Sequence, residues 1–142
     1  MFHSSCLCGR VMWDVDGPLV FLHHCHCGRC RRAHGTPFST MVAGPASTLR
    51  FAGEDAIVRW ESVPGAFRAF CGICGSKVPG ETFQGLAFIP AGNLDDDPGV
   101  PIEGHIFVGS KAPWDEISGK APQLQEGFGS QRLNSPSRSG AT

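Results

Sequence analysis

Apolar and polar residues alternate over short stretches of this chain, a pattern typical of β-strands that bury one face. The clearest stretch runs from Arg10 to Val15, where Val11, Trp13 and Val15 fall on one side. Nineteen glycines and eleven prolines divide the chain into segments that are too short for long helices. The pattern predicts further strands at residues 19–23, 38–43, 48–51, 56–60, 67–70, 86–89 and 105–108. We therefore expect a mainly β fold.

The connections between these strands give three further expectations. A short helix is favoured directly after Cys30, and Gly53 to Asp55 predicts the turn of a hairpin between strands 48–51 and 56–60. From Gln123 onward the chain is rich in Gly, Ser, Pro and Arg and has few apolar residues. The sequence therefore predicts one folded domain over residues 1–122 and a flexible C-terminal tail over 123–142.

The composition is that of an ordinary globular protein, since 41% of the 142 residues are hydrophobic and 18% are charged. The net charge is -1 with no stripe of Lys or Arg, so binding of nucleic acid through its phosphates is disfavoured. No apolar run approaches the ~20 residues that cross a bilayer, so we expect no membrane contact. The N-terminus lacks a signal-peptide pattern, and we expect a cytoplasmic protein with reduced thiols.

Seven cysteines in three clusters are the strongest chemical signal in the sequence. They form the first cluster (Cys6, Cys8), the second cluster (Cys25, Cys27, Cys30) and the third cluster (Cys71, Cys74). Cysteines at this spacing are typical of zinc sites, and the odd count weakens a disulfide interpretation. A structural zinc takes four protein ligands, whereas a catalytic zinc takes three and keeps one position open. Seven thiols therefore predict one closed site and one open site.

Spacing alone leaves the pairing of the clusters open. The first and third clusters can share one zinc because both adjoin predicted strands that could lie side by side, which leaves the second cluster to hold another zinc. Alternatively, the second cluster could complete a site with the third. His26 or His34 could also close the three-cysteine site as a fourth ligand, although His26 lies between two ligands and is expected to point away from a metal that both bind.

An open zinc with three thiolate ligands favours a particular chemistry. The thiolates donate much charge, so the metal is a poorer Lewis acid than a zinc bound by three neutral histidines, and strong acidification of water is disfavoured. Soft, thiolate-rich zinc favours exchange with another sulfur. A substrate thiol at such a site would be deprotonated to the nucleophilic thiolate. The pattern thus suggests a thiol activated for attack on a small carbonyl compound.

Five segments together resemble the GFA/centromere protein V family, whose founding members are glutathione-dependent formaldehyde-activating enzymes. The resemblance extends over roughly residues 3 to 125, nearly the whole predicted domain. The motifs occur in the same order as in that family. They are Ser5 to Gly9, Cys25 to Arg32, Phe70 to Ser76, His105 to Val108 and Ser110 to Trp114.

This resemblance implies a β-tent fold of small antiparallel sheets tied by a structural zinc, with two zinc ions in each chain. It implies carbon–sulfur lyase activity that joins glutathione to formaldehyde, giving S-(hydroxymethyl)glutathione. The partners would be a glutathione-like thiol and a small aldehyde. By motif matching, the structural zinc ligands are Cys6, Cys8, Cys71 and Cys74, and the catalytic zinc ligands are Cys25, Cys27 and Cys30.

A few other residues carry weaker expectations. Arg31 and Arg32 could contact the carboxylates of a thiol substrate, and they equally fit solvated surface charges. His34 could relay a proton, although a hydrogen-bonded turn histidine fits it better. The main alternative function is a non-enzymatic, zinc-stabilised interaction module in which both metals only hold the fold. A redox dithiol built from Cys27 and Cys30 is a third alternative.

Overall fold

The computed structural model describes residues 1–136, and the prediction of a mainly β fold is confirmed. Within these residues the chain forms one α-helix, α1 (Gly28–His34), and several short 3-10 helices. No helix in this part of the chain is long and apolar enough to span a membrane. The strands are β1 (Phe2–Ser5), β2 (Met12–Val15), β3 (Val20–Cys25), β4 (Ser39–Pro45), β5 (Arg50–Ala52), β6 (Ile57–Val63), β7 (Ala66–Cys71), β8 (Lys77–Val78), β9 (Thr82–Phe83), β10 (Leu86–Pro90) and β11 (Gly104–Ile106).

The chain divides into two compact units, each made of two stretches of sequence. Unit 1 contains residues 1–22 and 41–100, and unit 2 contains residues 23–40 and those from Pro101 onward. Six strand pairs of unit 1 are antiparallel: β1 with β2, β2 with β5, β4 with β10, β10 with β9, β6 with β7 and β7 with β8. These small sheets agree with the predicted antiparallel architecture.

The core of unit 1 follows the alternation that is visible in the sequence. Val11, Trp13 and Val15 are at most 1% exposed. Between them, Met12 is exposed and Asp14 hydrogen-bonds His3 at 2.6 Å on the outer side of the sheet. Burial of large apolar side chains such as Trp13 is the main stabilising contribution to such a small sheet. Strand β2 therefore fixes the position of the preceding turn, and this turn carries Cys6 and Cys8.

Unit 2 is built around a parallel strand pair and the single α-helix. His105 of β11 lies opposite His24 of β3, and the backbone N–H of His105 donates to Pro122 O at 2.8 Å. Helix α1 begins next to its N-cap Cys27, whose sulfur accepts from the Cys30 N–H. It ends at Gly35, which has a φ of +63°. The helix starts earlier than the sequence predicted, because the cap precedes Cys30.

The predicted hairpin between strands 48–51 and 56–60 is wrong. Strand β5 pairs with β2, and β6 pairs with β7, so the two strands belong to different sheets. A 3-10 helix over Glu54–Ala56 connects them, preceded by Gly53 with a φ of +80°. This connection redirects the chain instead of returning it alongside β5.

The predicted flexibility of the 123–142 tail remains a prediction. Within its described part, the Leu124 N–H donates to His105 O at 2.8 Å, and Leu124 forms an antiparallel bridge with Arg132. Residues 137–142 lie outside the described residues.

Candidate metal centres

Unit 1 brings the first and third clusters together. The sulfur atoms of the four cysteines all lie within 4.8 Å of one another. Two of these separations are 3.6 Å, from Cys6 to Cys8, and 3.8 Å, from Cys8 to Cys71. Four sulfurs bound at about 2.3 Å to a tetrahedral zinc would be about 3.8 Å apart. This four-thiol site, made of Cys6, Cys8, Cys71 and Cys74, therefore fits zinc.

Two similar turns build the four-thiol site. The Gly9 N–H donates to Cys6 O at 3.0 Å, and the Gly75 N–H donates to Cys71 O at 2.8 Å. Both glycines have a positive φ, +76° and +78°, which closes each turn after its ligands. The Val11 N–H also donates to Cys6 Sγ at 3.3 Å, the kind of bond that stabilises a thiolate. Each turn thus presents two sulfurs from the end of a strand.

Ser76 joins the two turns. Its Oγ accepts a hydrogen bond from the Leu7 N–H at 2.9 Å and lies 3.2 Å from Cys74 Sγ. Hydrogen bonds from the Ser76 hydroxyl and then from its backbone N–H lower the pKa of Cys74 to about 5. Ser76 therefore favours the thiolate form, which is the form that binds metal.

Unit 2 holds the second cluster as a separate three-thiol site, made of Cys25, Cys27 and Cys30. Their sulfur atoms lie within 4.8 Å of one another, and no histidine or carboxylate among residues 1–136 joins them as a group. Cys25 is the buried last residue of β3, Cys27 caps α1, and Cys30 lies in the first turn of that helix. The Cys30 N–H donates to Cys27 Sγ at 3.3 Å. Strand end and helix cap thus bring three thiols together.

The pKa values of two thiols of this site, Cys27 and Cys25, are shifted in opposite directions. Hydrogen bonds from the Cys25 and then the Cys30 side chains lower the pKa of Cys27 to about 2. The pKa of Cys25 is strongly raised by its hydrogen bonds with the Cys27 and then the Cys30 side chains, and by burial. Three sulfurs this close cannot all ionise without a compensating cation, because like charges disfavour one another. A bound metal cation would remove that conflict, so the residues fit a metal.

A buried histidine pair lies in unit 2. His26 is fully buried, and its Nε2 lies 3.1 Å from Nδ1 of His105. Its Nδ1 lies 3.9 Å from Oδ2 of Asp115, and both of those atoms lack a hydrogen-bond partner. Burial, followed by the charge of His105, lowers the pKa of His26 to about 4, so its ring is neutral near pH 7. One ring therefore donates to the other through His26 Nε2 and His105 Nδ1. His26 does not belong to the group formed by the three thiols.

A cavity of about 570 Å³ in unit 2 is bounded by polar and apolar side chains. His24 and His105 line it together with Phe38, Asp115 and Lys120. His24 Nδ1 lies 2.8 Å from Thr40 Oγ1, and burial, followed by the charge of His105, lowers the pKa of His24 to about 4. The cavity therefore offers neutral imidazoles, the Lys120 cation and two carboxylates, those of Asp115 and Glu116, to a small polar molecule.

The predicted substrate-contacting arginines differ in their surroundings. Arg31 donates from Nη2 to Ser110 O at 3.2 Å, and its Nε is buried without a partner. Arg32 is exposed, and both belong with His34 to the last turn of α1. Positive charge in the last turn of a helix is stabilised by the helix dipole, which is one structural reason for this basic segment.

The protein therefore consists of small sheets with two candidate thiolate metal centres, a four-thiol site and a three-thiol site. The family model described as "Glutathione-dependent formaldehyde-activating enzyme" matches residues 1–110, so the chain belongs to this family. A crystal structure of a protein from Rhodobacter sphaeroides is similar, with a TM-score of 0.55 and 22% sequence identity, over 70% of this chain and 90% of that one. This likeness supports the fold. No protein of curated function matches the sequence.

Proposed function

We propose that this protein is a zinc-dependent carbon–sulfur lyase that joins a thiol such as glutathione to a small aldehyde such as formaldehyde. The observation that carries the proposal is the three-thiol site, in which Cys25, Cys27 and Cys30 leave a tetrahedral metal one ligand short. Membership of the glutathione-dependent formaldehyde-activating family supports the choice of substrates. We assign structural zinc to the four-thiol site and catalytic zinc to the three-thiol site.

The reaction needs only a thiolate and a carbonyl group. When bound, zinc supplies acidification of the substrate thiol at neutral pH. The thiolate sulfur attacks the carbonyl carbon and a carbon–sulfur bond forms. The electron pair of the C=O bond moves to oxygen, which takes up a proton. The thiol's own proton balances that uptake, so no oxidant or other reactant is required, and the reverse steps release the aldehyde.

The chain's own groups would hold and orient the thiol substrate. Arg32 is exposed beside the three-thiol site in sequence and can pair with a carboxylate of glutathione, because its planar guanidinium matches that group. The cavity in unit 2 has the polar lining that a small polar substrate needs. We further propose a reducing compartment such as the cytoplasm, in which the seven thiols stay available to metal.

Titration of glutathione into protein loaded with cobalt at both sites tests the proposal. A fourth thiolate entering the three-thiol site should produce a saturable change in the thiolate-to-cobalt absorption bands. Cys27→Ser removes one sulfur of that site and should abolish the change, while the bands of the four-thiol site remain.

Formation of the adduct is measured separately, as exchange between ¹³C-formaldehyde and glutathione by NMR. It should be faster with the zinc-loaded protein than with Cys27→Ser. Absence of any spectral change with both sites filled would overturn the proposal, and would favour the zinc-stabilised interaction module.

A further inference from the structure

Strand β6 is an open edge of its sheet. In the three-stranded order β6-β7-β8, and within residues 1–136, it pairs with β7 alone. Four successive residues, Val58, Arg59, Trp60 and Glu61, are exposed, and Trp60 is 62% exposed. An exposed edge strand with a large aromatic side chain is a template for pairing with another strand.

The hydrogen-bond pattern shows which backbone groups face outward. The Gly72 N–H donates to Ala56 O at 2.7 Å, and the register pairs Ile57 with Cys71. Alternation along an antiparallel ladder then turns the backbone groups of Val58 and Trp60 toward β7. Those of Ile57, Arg59 and Glu61 point to the open edge, where they can bond a further strand.

The side chains around Trp60 are self-complementary. Arg59 and Glu61 flank it with opposite charges. Consider a second copy of β6 that lies antiparallel to the first, with the twofold axis passing between the two Trp60 residues. Arg59 then faces Glu61 of the partner subunit, and by symmetry Glu61 faces Arg59 of the partner subunit. We propose that the protein forms a symmetric dimer through β6, which joins the two three-stranded sheets into one.

The charges select this register among those that the backbone allows. Only residues with outward backbone groups can form the hydrogen-bonded pairs, so registers change in steps of two residues. The neighbouring registers place Arg59 opposite Arg59 of the partner subunit, or Glu61 opposite Glu61 of the partner subunit. Like charges directly opposite each other are destabilising. The register centred on Trp60 pairs opposite charges twice and brings the two indoles together.

Charge reversal and restoration test this interface. Sedimentation equilibrium of the zinc-loaded full chain should give twice the 15.1 kDa of one chain at micromolar concentrations. Arg59→Glu and Glu61→Arg should each raise the dimer dissociation constant at least about tenfold, because each change acts twice across the axis. The double variant Arg59→Glu/Glu61→Arg should restore the dimer.

Glu103→Arg is the matched control for charge, since Glu103 is also exposed but lies outside β6. It should leave the dissociation constant unchanged. Far-UV circular dichroism and metal content, measured on every variant, distinguish a lost interface from a lost fold. A monomeric parent protein, single variants that dimerise as well as the parent, a double variant that stays monomeric or an assembly larger than two would each overturn the proposal.

Discussion

Ser76 links two segments of chain at the four-thiol site. It holds the Leu7 N–H of one turn and the Cys74 sulfur of the other, although Leu7 and Ser76 are 69 positions apart in sequence. Hydrogen bonds to ligand atoms orient them and adjust their basicity, and the loss of such bonds typically weakens metal binding. A hydroxyl that binds no metal itself can therefore determine how firmly the metal is held.

We expect Ser76→Ala to weaken zinc binding at the four-thiol site by about tenfold or more, because the Cys74 thiolate loses a donor. The measurement is competition with a chromophoric chelator at fixed pH. Ser47→Ala is the control for loss of a hydroxyl, since Ser47 is exposed and takes no part in the four-thiol site. Equal zinc affinity in Ser76→Ala and the parent would show that the hydroxyl has no influence on the metal.

At the scale of residues, the sequence predicted the thiols but not their supporting partners. Cysteines two or three positions apart are local signals, and chain geometry holds them together whatever the fold. The contact between Ser76 and Leu7, and that between His26 and His105, join residues 69 and 79 positions apart. No local pattern marks such partners, because each depends on which strands lie side by side. The sequence places His105 in a predicted strand and in a family motif, and neither indicates its contact with His26.

At the scale of elements, Gly53 determines how the chain leaves β5. A side-chain carbon at this glycine would lie 2.0 Å from the backbone oxygen of Arg10, far inside contact distance. The positive φ of Gly53 adds a second constraint, because only glycine adopts that conformation freely. The chain can therefore pass close to the turn of the first cluster before it enters a different sheet.

Gly53→Ala should destabilise the protein by at least about 2 kcal/mol, since it combines the backbone cost of a positive φ with a steric clash. Gly85→Ala is the matched control, because Gly85 has a φ of +78° and open space around it. It should cost only about 1 kcal/mol. Thermal or urea unfolding of both variants measures the difference. Equal losses of stability would show that the close approach to Arg10 contributes nothing.

Periodicity predicted the elements better than it predicted their connections. The alternation from Val11 to Val15 identifies a buried face because burial depends on side chains of that strand alone. The proposed hairpin failed because turn residues between two strands do not specify pairing. Gly53 serves a 3-10 connection instead, and β6 finds its partner in β7. Helix α1 begins before Cys30 because the sulfur of Cys27 caps it, and the spacing of the cysteines indicates only a metal ligand at that position.

At the scale of the whole molecule, each compact unit contains one complete set of thiols. The four-thiol site lies in unit 1, and the three-thiol site lies in unit 2. The first site connects the two stretches of sequence that form unit 1, whereas the second uses a single short segment. Metal binding that links distant segments contributes to folding free energy, because the unfolded chain does not present the site. The two metals should therefore differ in their effect on stability.

Stepwise removal of zinc with increasing chelator should occur in two steps. The three-thiol site should lose its metal first with little change in circular dichroism, and loss of the second metal should accompany unfolding. Cys27→Ser should lack the first step but retain the fold. Cys71→Ser should lower the free energy of unfolding by at least about 3 kcal/mol, because structural zinc contributes roughly 10–16 kcal/mol of binding free energy. If both metals leave together, or both variants unfold equally, the two sites do not have separate roles.

The separation of Cys8 and Cys71 by 63 positions also has a consequence for biosynthesis. On the ribosome, the second cluster can take up metal as soon as its own segment emerges. The two thiols of the first cluster lack their partner ligands until the third cluster, Cys71 and Cys74, has been translated. If zinc fills the four-thiol site, as we propose, its uptake is the late event that completes unit 1. A shortage of zinc in the cell would then leave newly made chains incompletely folded, with the thiols of Cys6 and Cys8 open to oxidation.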